Sequence, residues 1–256
     1  MGLLSITAAA TLVFCAPGYP GGASDAQPLL DQFTQALVAG AHWPAGSLDA
    51  IYDPTDAGGL TRLEAPDAVL AFVPYPFYFE HASRLQLRPM AQAELLDVGS
   101  TQRWSLVAKA GALSAPASLS GYTLVSVAGY APQFVRRIAL RDYALPAEVK
   151  IESTGQVLSA LRKIANGERL VALLDQEQAS ALATLPFAAQ LQTLTRSAPL
   201  PVALMALVDS RLPASKVASL QHALLAMGSA APESALAPLK LKGFQAPQLP
   251  PDTPPP

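Results

Sequence analysis

The chain has one cysteine, Cys15, in 256 residues, so no intrachain disulfide staples it and a cysteine-rich zinc site is excluded. Charge is scarce as well. Asp, Glu, Lys and Arg make up 14% of the residues, against about a quarter in ordinary domains. Hydrophobic residues reach 51%, a balance that calls for extensive burial. The net charge is −2 and Lys and Arg form no run, which removes the electrostatic footprint of a nucleic-acid binder.

His42, His81 and His222 stand in no His-x-x-x-His or Glu-x-x-His pairing, so no metal site is expected. Gly-x-Ser-x-Gly, Gly-x-x-x-x-Gly-Lys and Gly-x-Gly-x-x-Gly are all missing. Without a nucleophile elbow or a nucleotide loop, neither a catalytic residue nor a cofactor is expected. After the N-terminal stretch Leu3–Cys15, no window reaches ~18 uninterrupted apolar residues, which excludes a membrane-spanning helix. Leu3–Cys15 has signal-peptide length but no basic flank, and residues Met1–Ala10 read as the end of a leader. Cys15 itself reads as a buried strand cysteine.

What is present is a succession of short apolar runs closed by turn residues. Thr11–Ala16, Leu48–Tyr52 and Asp67–Val73 are predicted strands, separated by a helix over Asp25–Ala39 and a second short helix. Ser24 with Gln27 reads as a capping box for the first of these helices. Leu87–Glu94 and Gln102–Ala108 are two further strands, and Ser114 and Pro116 open a one-turn helix. The pattern then starts again: strand Tyr122–Val127, helix Gln133–Tyr143, strand Val149–Glu152, a helix ending at Asn166, strand Leu170–Leu174. Gln192–Thr195 and Val202–Val208 are predicted to return to the first half, followed by a helix over Pro213–Met227. Residues Pro247–Pro256 hold six prolines and are expected to form an exposed, mobile tail.

The stretch Asp67–Tyr78 stands out, because a fully apolar strand runs into Pro74-Tyr75-Pro76-Phe77-Tyr78. The two prolines predict a rigid loop that displays the rings at the carboxyl edge of a parallel sheet, where ligands bind in open α/β folds. By the same placement Tyr19, Tyr52, Asp53 and Tyr130 lie on strand-end rims. Gln133, Ser153, Thr154 and Asp175 are polar candidates beside them, and Ser153 with Gln156 reads as a capping box.

The order of these units, with Leu113–Val127 and with Asp67, Ala68, Ala71, Pro74, Phe77 and Tyr78, resembles type II periplasmic solute-binding proteins of the phosphate/phosphite/phosphonate branch. The resemblance implies an α/β, two-lobe fold, each lobe a mixed sheet flanked by helices, with a ligand cleft between the lobes. Lobe 1 would comprise residues 11–107 and 199–245, lobe 2 residues 108–198, and the tail residues 246–256. It implies a monomeric periplasmic protein whose signal peptide is removed or truncated, with a small-molecule ligand and a membrane transporter component as partners. Hinges are expected at Trp104–Lys109 and Thr195–Pro201.

One departure bears on the ligand. Where phosphonate binders carry a Ser/Thr-rich turn, this chain has Val127-Ala128-Gly129-Tyr130-Ala131-Pro132-Gln133. With the aromatic rim of Tyr19, Tyr52, Tyr75, Phe77 and Tyr130, this shifts the expected ligand from an oxyanion toward an apolar, lipid-like or sterol-like molecule. A phosphonate or phosphite importer component, a sensing module for a receptor kinase and, less favoured, an enzyme on the same fold are the alternatives.

Overall fold

The computed structural model describes residues 10–19, 21–113, 119–230 and 233–255. The leader reading of residues 1–9 and the one-turn helix expected at Ser114 and Pro116 fall outside them.

The described chain builds two mixed sheets. β1 (Ala10–Cys15), β2 (Leu48–Asp53) and β3 (Ala68–Pro74) are parallel, joined by helices α1 (Ala23–Gly40) and α2 (Asp56–Glu64). After α3 (Tyr75–Leu85), strand β4 (Leu87–Leu95) joins the same sheet, and β5 (Thr101–Gln102) and β6 (Ser105–Lys109) leave it. The second sheet holds β6, β7 (Thr123–Ser126), β8 (Lys150–Ser153), β9 (Leu170–Leu174) and β10 (Leu191–Arg196). Its helices are α4 (Pro132–Phe134), which widens into a π turn at Val135–Ala139, α5 (Val157–Ala165) and α6 (Gln176–Ala181).

The chain returns through β11 (Leu200–Pro201) to β12 (Ala203–Val208), then α7 (Ala214–Ala230), α8 (Glu233–Leu236) and β13 (Leu241–Gln245). The strand orders are β13-β4-β12-β3-β1-β2 and β10-β6-β9-β7-β8. Parallel β1, β2 and β3 in one sheet and β7, β8 and β9 in the other match the two predicted βα series. β13 escapes the sequence reading because it follows an Ala/Pro-rich stretch and carries Gly243 in its middle; it pairs antiparallel with β4 at the sheet edge.

Three local expectations differ from the structure. Pro74 and Pro76 do not hold a loop: Pro74 is the N-cap and Pro76 sits in the first turn of α3. There a missing N–H costs nothing, because the first-turn donors have no intrahelical partner. Ser24 caps no helix, since α1 starts at Ala23 after Gly22, and Gln27 instead donates to Asp31 and to the Ala50 carbonyl. Likewise α5 starts only at Val157, and it is Thr154 whose hydroxyl accepts the Gln156 N–H at 3.1 Å.

The sheets are tied by two crossing segments. β5 and β11 pair antiparallel as a separate ribbon. Beside it the Ser197 N–H donates to the Trp104 carbonyl at 2.8 Å, and the Trp104 N–H donates to the Ser197 hydroxyl at 2.9 Å. The tail supplies a further connection. The Gln248 N–H donates to the buried Gln92 side chain, Thr253 and Tyr75 share a hydrogen bond of 2.7 Å, and Ser83 donates to the Pro255 carbonyl. On the side of the second sheet, Asp252 pairs with Arg141.

One apolar cluster runs through both halves, from Val13 and Val73 to Leu106, Leu124 and Val171. Phe134 is its wedge, fully buried with ring centroids 5.4 Å from Trp104, 5.9 Å from Tyr75 and 6.2 Å from Phe79. Phe134→Ala should cost about 3–5 kcal/mol in urea unfolding, as a buried aromatic truncation does; a loss under 1 kcal/mol would mean that the halves do not share a core.

Candidate functional site

The carboxyl ends of the parallel strands in the two sheets meet at one junction, and each loop brings a particular group to it. The loop after β1 supplies Tyr19, whose hydroxyl donates to Asp175, after β9, at 3.0 Å. Asp175 is itself 3% exposed and caps α6, accepting the Gln178 N–H at 2.8 Å while the Gln178 side chain returns to the Asp175 N–H. Burial pushes the Asp175 carboxyl above its usual range; the Gln178 N–H and the Tyr19 hydroxyl oppose that rise, and nearby Glu177 adds to it. Burial, then the Asp175 charge, pushes the Tyr19 phenol well up.

A second bridge comes from α3. One carboxylate oxygen of Glu80 accepts the N–H groups of Gln133 and Phe134, at 3.0 and 3.4 Å, at the start of α4. These are N–H groups that the helix leaves without an intrahelical partner. Desolvation raises the Glu80 pKa, and the two amide bonds and His81 hold the rise in check. His81 pairs with Asp56 at the start of α2 at 2.7 Å, and its ring lies 4.6 Å from Phe77. Phe77 in turn lies 6.4 Å from Tyr130, whose phenol burial also pushes well up.

Close backbone approaches complete the junction. Gly18 has φ +83°, and a Cβ there would stand 3.0 Å from the Val127 carbonyl oxygen, so the loops after β1 and β7 touch. A Cβ on Gly129 would fall 2.2 Å from the Glu152 carbonyl oxygen and 2.5 Å from the Ser153 nitrogen. The turn that carries methyls where hydroxyls were looked for is therefore pressed against the end of β8.

The structure thus gathers Tyr19, Phe77, Tyr130, Gln133 and Asp175. Ser153 is exposed and Thr154 half-buried on the adjoining edge of the second sheet. Tyr52 and Asp53 end β2 on the same carboxyl edge, in register with Phe14 and Cys15 of β1; Asp53 accepts both the Thr55 N–H and its hydroxyl, and burial raises the Tyr52 phenol. Tyr75 goes elsewhere. It is fully buried against Tyr78 and Phe134, its phenol is pushed up to about 12 by burial, and it meets the tail at Thr253. Phe77 is fully buried as well, so the ring display expected of this stretch is replaced by helix packing.

Cys15 is buried and burial raises its thiol well above the usual range, which makes it unreactive. Arg136 donates to the carbonyls of Pro146, Ala147 and Val149. Glu80 is the residue the sequence reading missed. Its signal was its position one turn into an aromatic helix, legible only once α3 is recognised as a helix.

Two mixed sheets with helices on their faces, crossing segments between them and loops meeting at strand carboxyl ends define a known architecture. The fold is that of the type II periplasmic binding proteins. Among solved structures, the chain is similar to XAC2383 of Xanthomonas citri bound to ATP, with a TM-score of 0.69 and 15% identity over 94% of this chain and 92% of that one. A binding protein component of an ABC phosphonate transporter from Pseudomonas aeruginosa gives 0.60 and 16% over 93% and 82%. PhnD1 of Prochlorococcus marinus in complex with methylphosphonate gives 0.58 and 12% over 93% and 93%. No protein-family model and no curated protein matches the sequence. Within this fold, no helix among the described residues is long and apolar enough to cross a membrane.

The junction predicts a pH dependence. Both Glu80 and Asp175 have folded pKa values raised above the unfolded ones. Their contribution is fully present below the ordinary carboxyl pKa of about 4 and is lost as pH rises through the raised values. Asp175→Asn keeps an oxygen to cap the Gln178 N–H, turns an amide N–H toward the Tyr19 hydroxyl in place of the second oxygen, and removes the desolvated charge. Its stability relative to the wild type should rise from pH 4 to pH 8, read as a Tm difference that moves in favour of the variant as pH increases. Equal destabilisation at both pH values would contradict this account. Gly129→Ala should lower stability by about 1–3 kcal/mol or more, because the added methyl meets backbone that cannot step aside.

Proposed function

We propose that the protein is the solute-binding component of a membrane transport system outside the cytoplasmic membrane, and that it takes a small oxyanion-bearing solute of the phosphonate or phosphite kind between its lobes. The observation that carries this reading is the junction itself: strand carboxyl ends of two mixed sheets face one another across a boundary crossed by two paired segments. That edge is where open α/β sheets bind ligands, and paired crossing segments are what hinge closure requires.

The ligand class rests on the polar character of the junction. Its bridges are Tyr19 to Asp175 and Glu80 to the amides of Gln133 and Phe134. Rotation of the Glu80 side chain away from α4 would free those amides while Phe134 keeps α3 and α4 packed together. A phosphonate or phosphite oxygen is then the chemical equivalent of the Glu80 carboxylate that had filled them. The similar structures bind anions too: chloride or ATP in the Xanthomonas protein and methylphosphonate in PhnD1. The apolar ligand expected from the aromatic rim loses its motive, because Tyr75 and Phe77 are core residues.

Thermal shift and titration calorimetry with methylphosphonate, phosphite, arginine and a hopanoid test the reading. Methylphosphonate or phosphite at about 100 times its Kd should stabilise the protein by about 2.7 kcal/mol. That corresponds to a Tm rise of roughly 5–10 °C. Glu80→Gln, a weaker competitor for the same amides, should tighten that binding several-fold. Stabilisation by the hopanoid or by arginine with none from either anion would replace this ligand class.

A further inference from the structure

A cavity of about 450 Å³ lies away from the junction, at the hinge. Its walls come from Thr101 in β5, residues 138–143 at the end of the π turn, the crossing segment 195–201 and the tail at 248–251. The volume falls in the range of small-molecule sites, about 300–1,000 Å³. We infer that this cavity is a second small-molecule site, suited to a flat organic anion such as an aromatic or alicyclic carboxylate or sulfonate.

The chemistry of the walls sets that class. Leu249 and the prolines at 199, 250 and 251 offer apolar surface above the buried Ile138, Leu140 and Leu200, and the prolines stiffen these walls, so a ring can stack there without ordering flexible side chains. The charges at the rim are unequal. Arg141 is neutralised by Asp252 and also lies near Asp142. Arg196 is exposed and makes no ion pair or side-chain hydrogen bond among the described residues. A guanidinium without a partner beside apolar walls matches an acid group attached to a ring.

The position gives such a ligand a consequence. Two of the four walls are the segments that cross between the sheets, and the Gln248 and Asp252 contacts fix the tail over them. A ligand that fits only one arrangement of these walls favours that arrangement and so couples to whatever the junction binds.

The probe is 8-anilinonaphthalene-1-sulfonate, titrated by fluorescence into the full chain. One site is expected, with Arg196→Gln weakening binding roughly tenfold, as loss of a charged hydrogen-bond donor does. Ala198→Trp, which places an indole in the cavity, should abolish it while methylphosphonate still titrates to one site per chain. Should Ala198→Trp fail to fold, Arg196→Gln in the full chain decides the matter, with weakened probe binding expected. Wild-type probe affinity in Arg196→Gln, or no saturable binding to the wild type, overturns the inference. Because the probe and methylphosphonate are read separately, loss of one leaves the other standing, and the failure of either site is distinguishable from failure of both.

Discussion

Phe134 is the point on which the two halves depend. It belongs to the second sheet's first helix, yet its neighbours are Tyr75 and Phe79 from α3 and Trp104 from the crossing segment. A single apolar cluster therefore continues from one sheet into the other, and the boundary between lobes runs through packed rings. Aromatic pairs at these distances add about 0.5–1.5 kcal/mol each beyond their buried area, enough to hold α3 and α4 in register. The polar bridges sit where that register puts them: Glu80 reaches the α4 amides because Phe79, next to it, is anchored on Phe134.

The polar part of the junction is economical in charge. Its carboxylates are met by hydrogen-bond donors from backbone, tyrosine and histidine, with Asp175 against Tyr19, Asp56 against His81 and Glu80 against two amides. The phenol and the amides satisfy a buried carboxylate without a second full charge, at the cost of a raised pKa, which Glu80 and Asp175 both show. The low charge content of the sequence is thus expressed at the place where charge would be hardest to solvate.

The side of the crossing segments is built differently. There the proline-rich tail lies over the crossing segments, held by Gln92, Tyr75 and Ser83 on one side and Arg141 on the other. Proline composition argued for an exposed, mobile tail; instead Leu249 packs on the shared cluster, and Gln248, Asp252, Thr253 and Pro255 are bonded to the body. Composition reports a segment's own capacity to bury surface and is silent on surface offered by the rest of the fold.

The sequence by itself determined where the strands and most helices lie, and their order. β9 at Leu170–Leu174 and the parallel trios were legible because strands covered on both faces are continuous apolar runs, a property of each segment alone. Tyr19 and Asp175 fall at one edge because side chains just past parallel strands share an edge whatever the packing, whereas Phe77 and Gln133 are set there by the helices α3 and α4. Tertiary structure alone decided which of them meet. Tyr19 and Asp175 are 156 residues apart, Glu80 and Gln133 are 53 apart, and Tyr75 and Thr253 are 178 apart. It also decided that Pro74-Tyr75-Pro76 starts a helix, because two prolines permit a loop or a first helical turn equally. Only the demand of Phe134 and the sheet for the buried face of α3 selects between them.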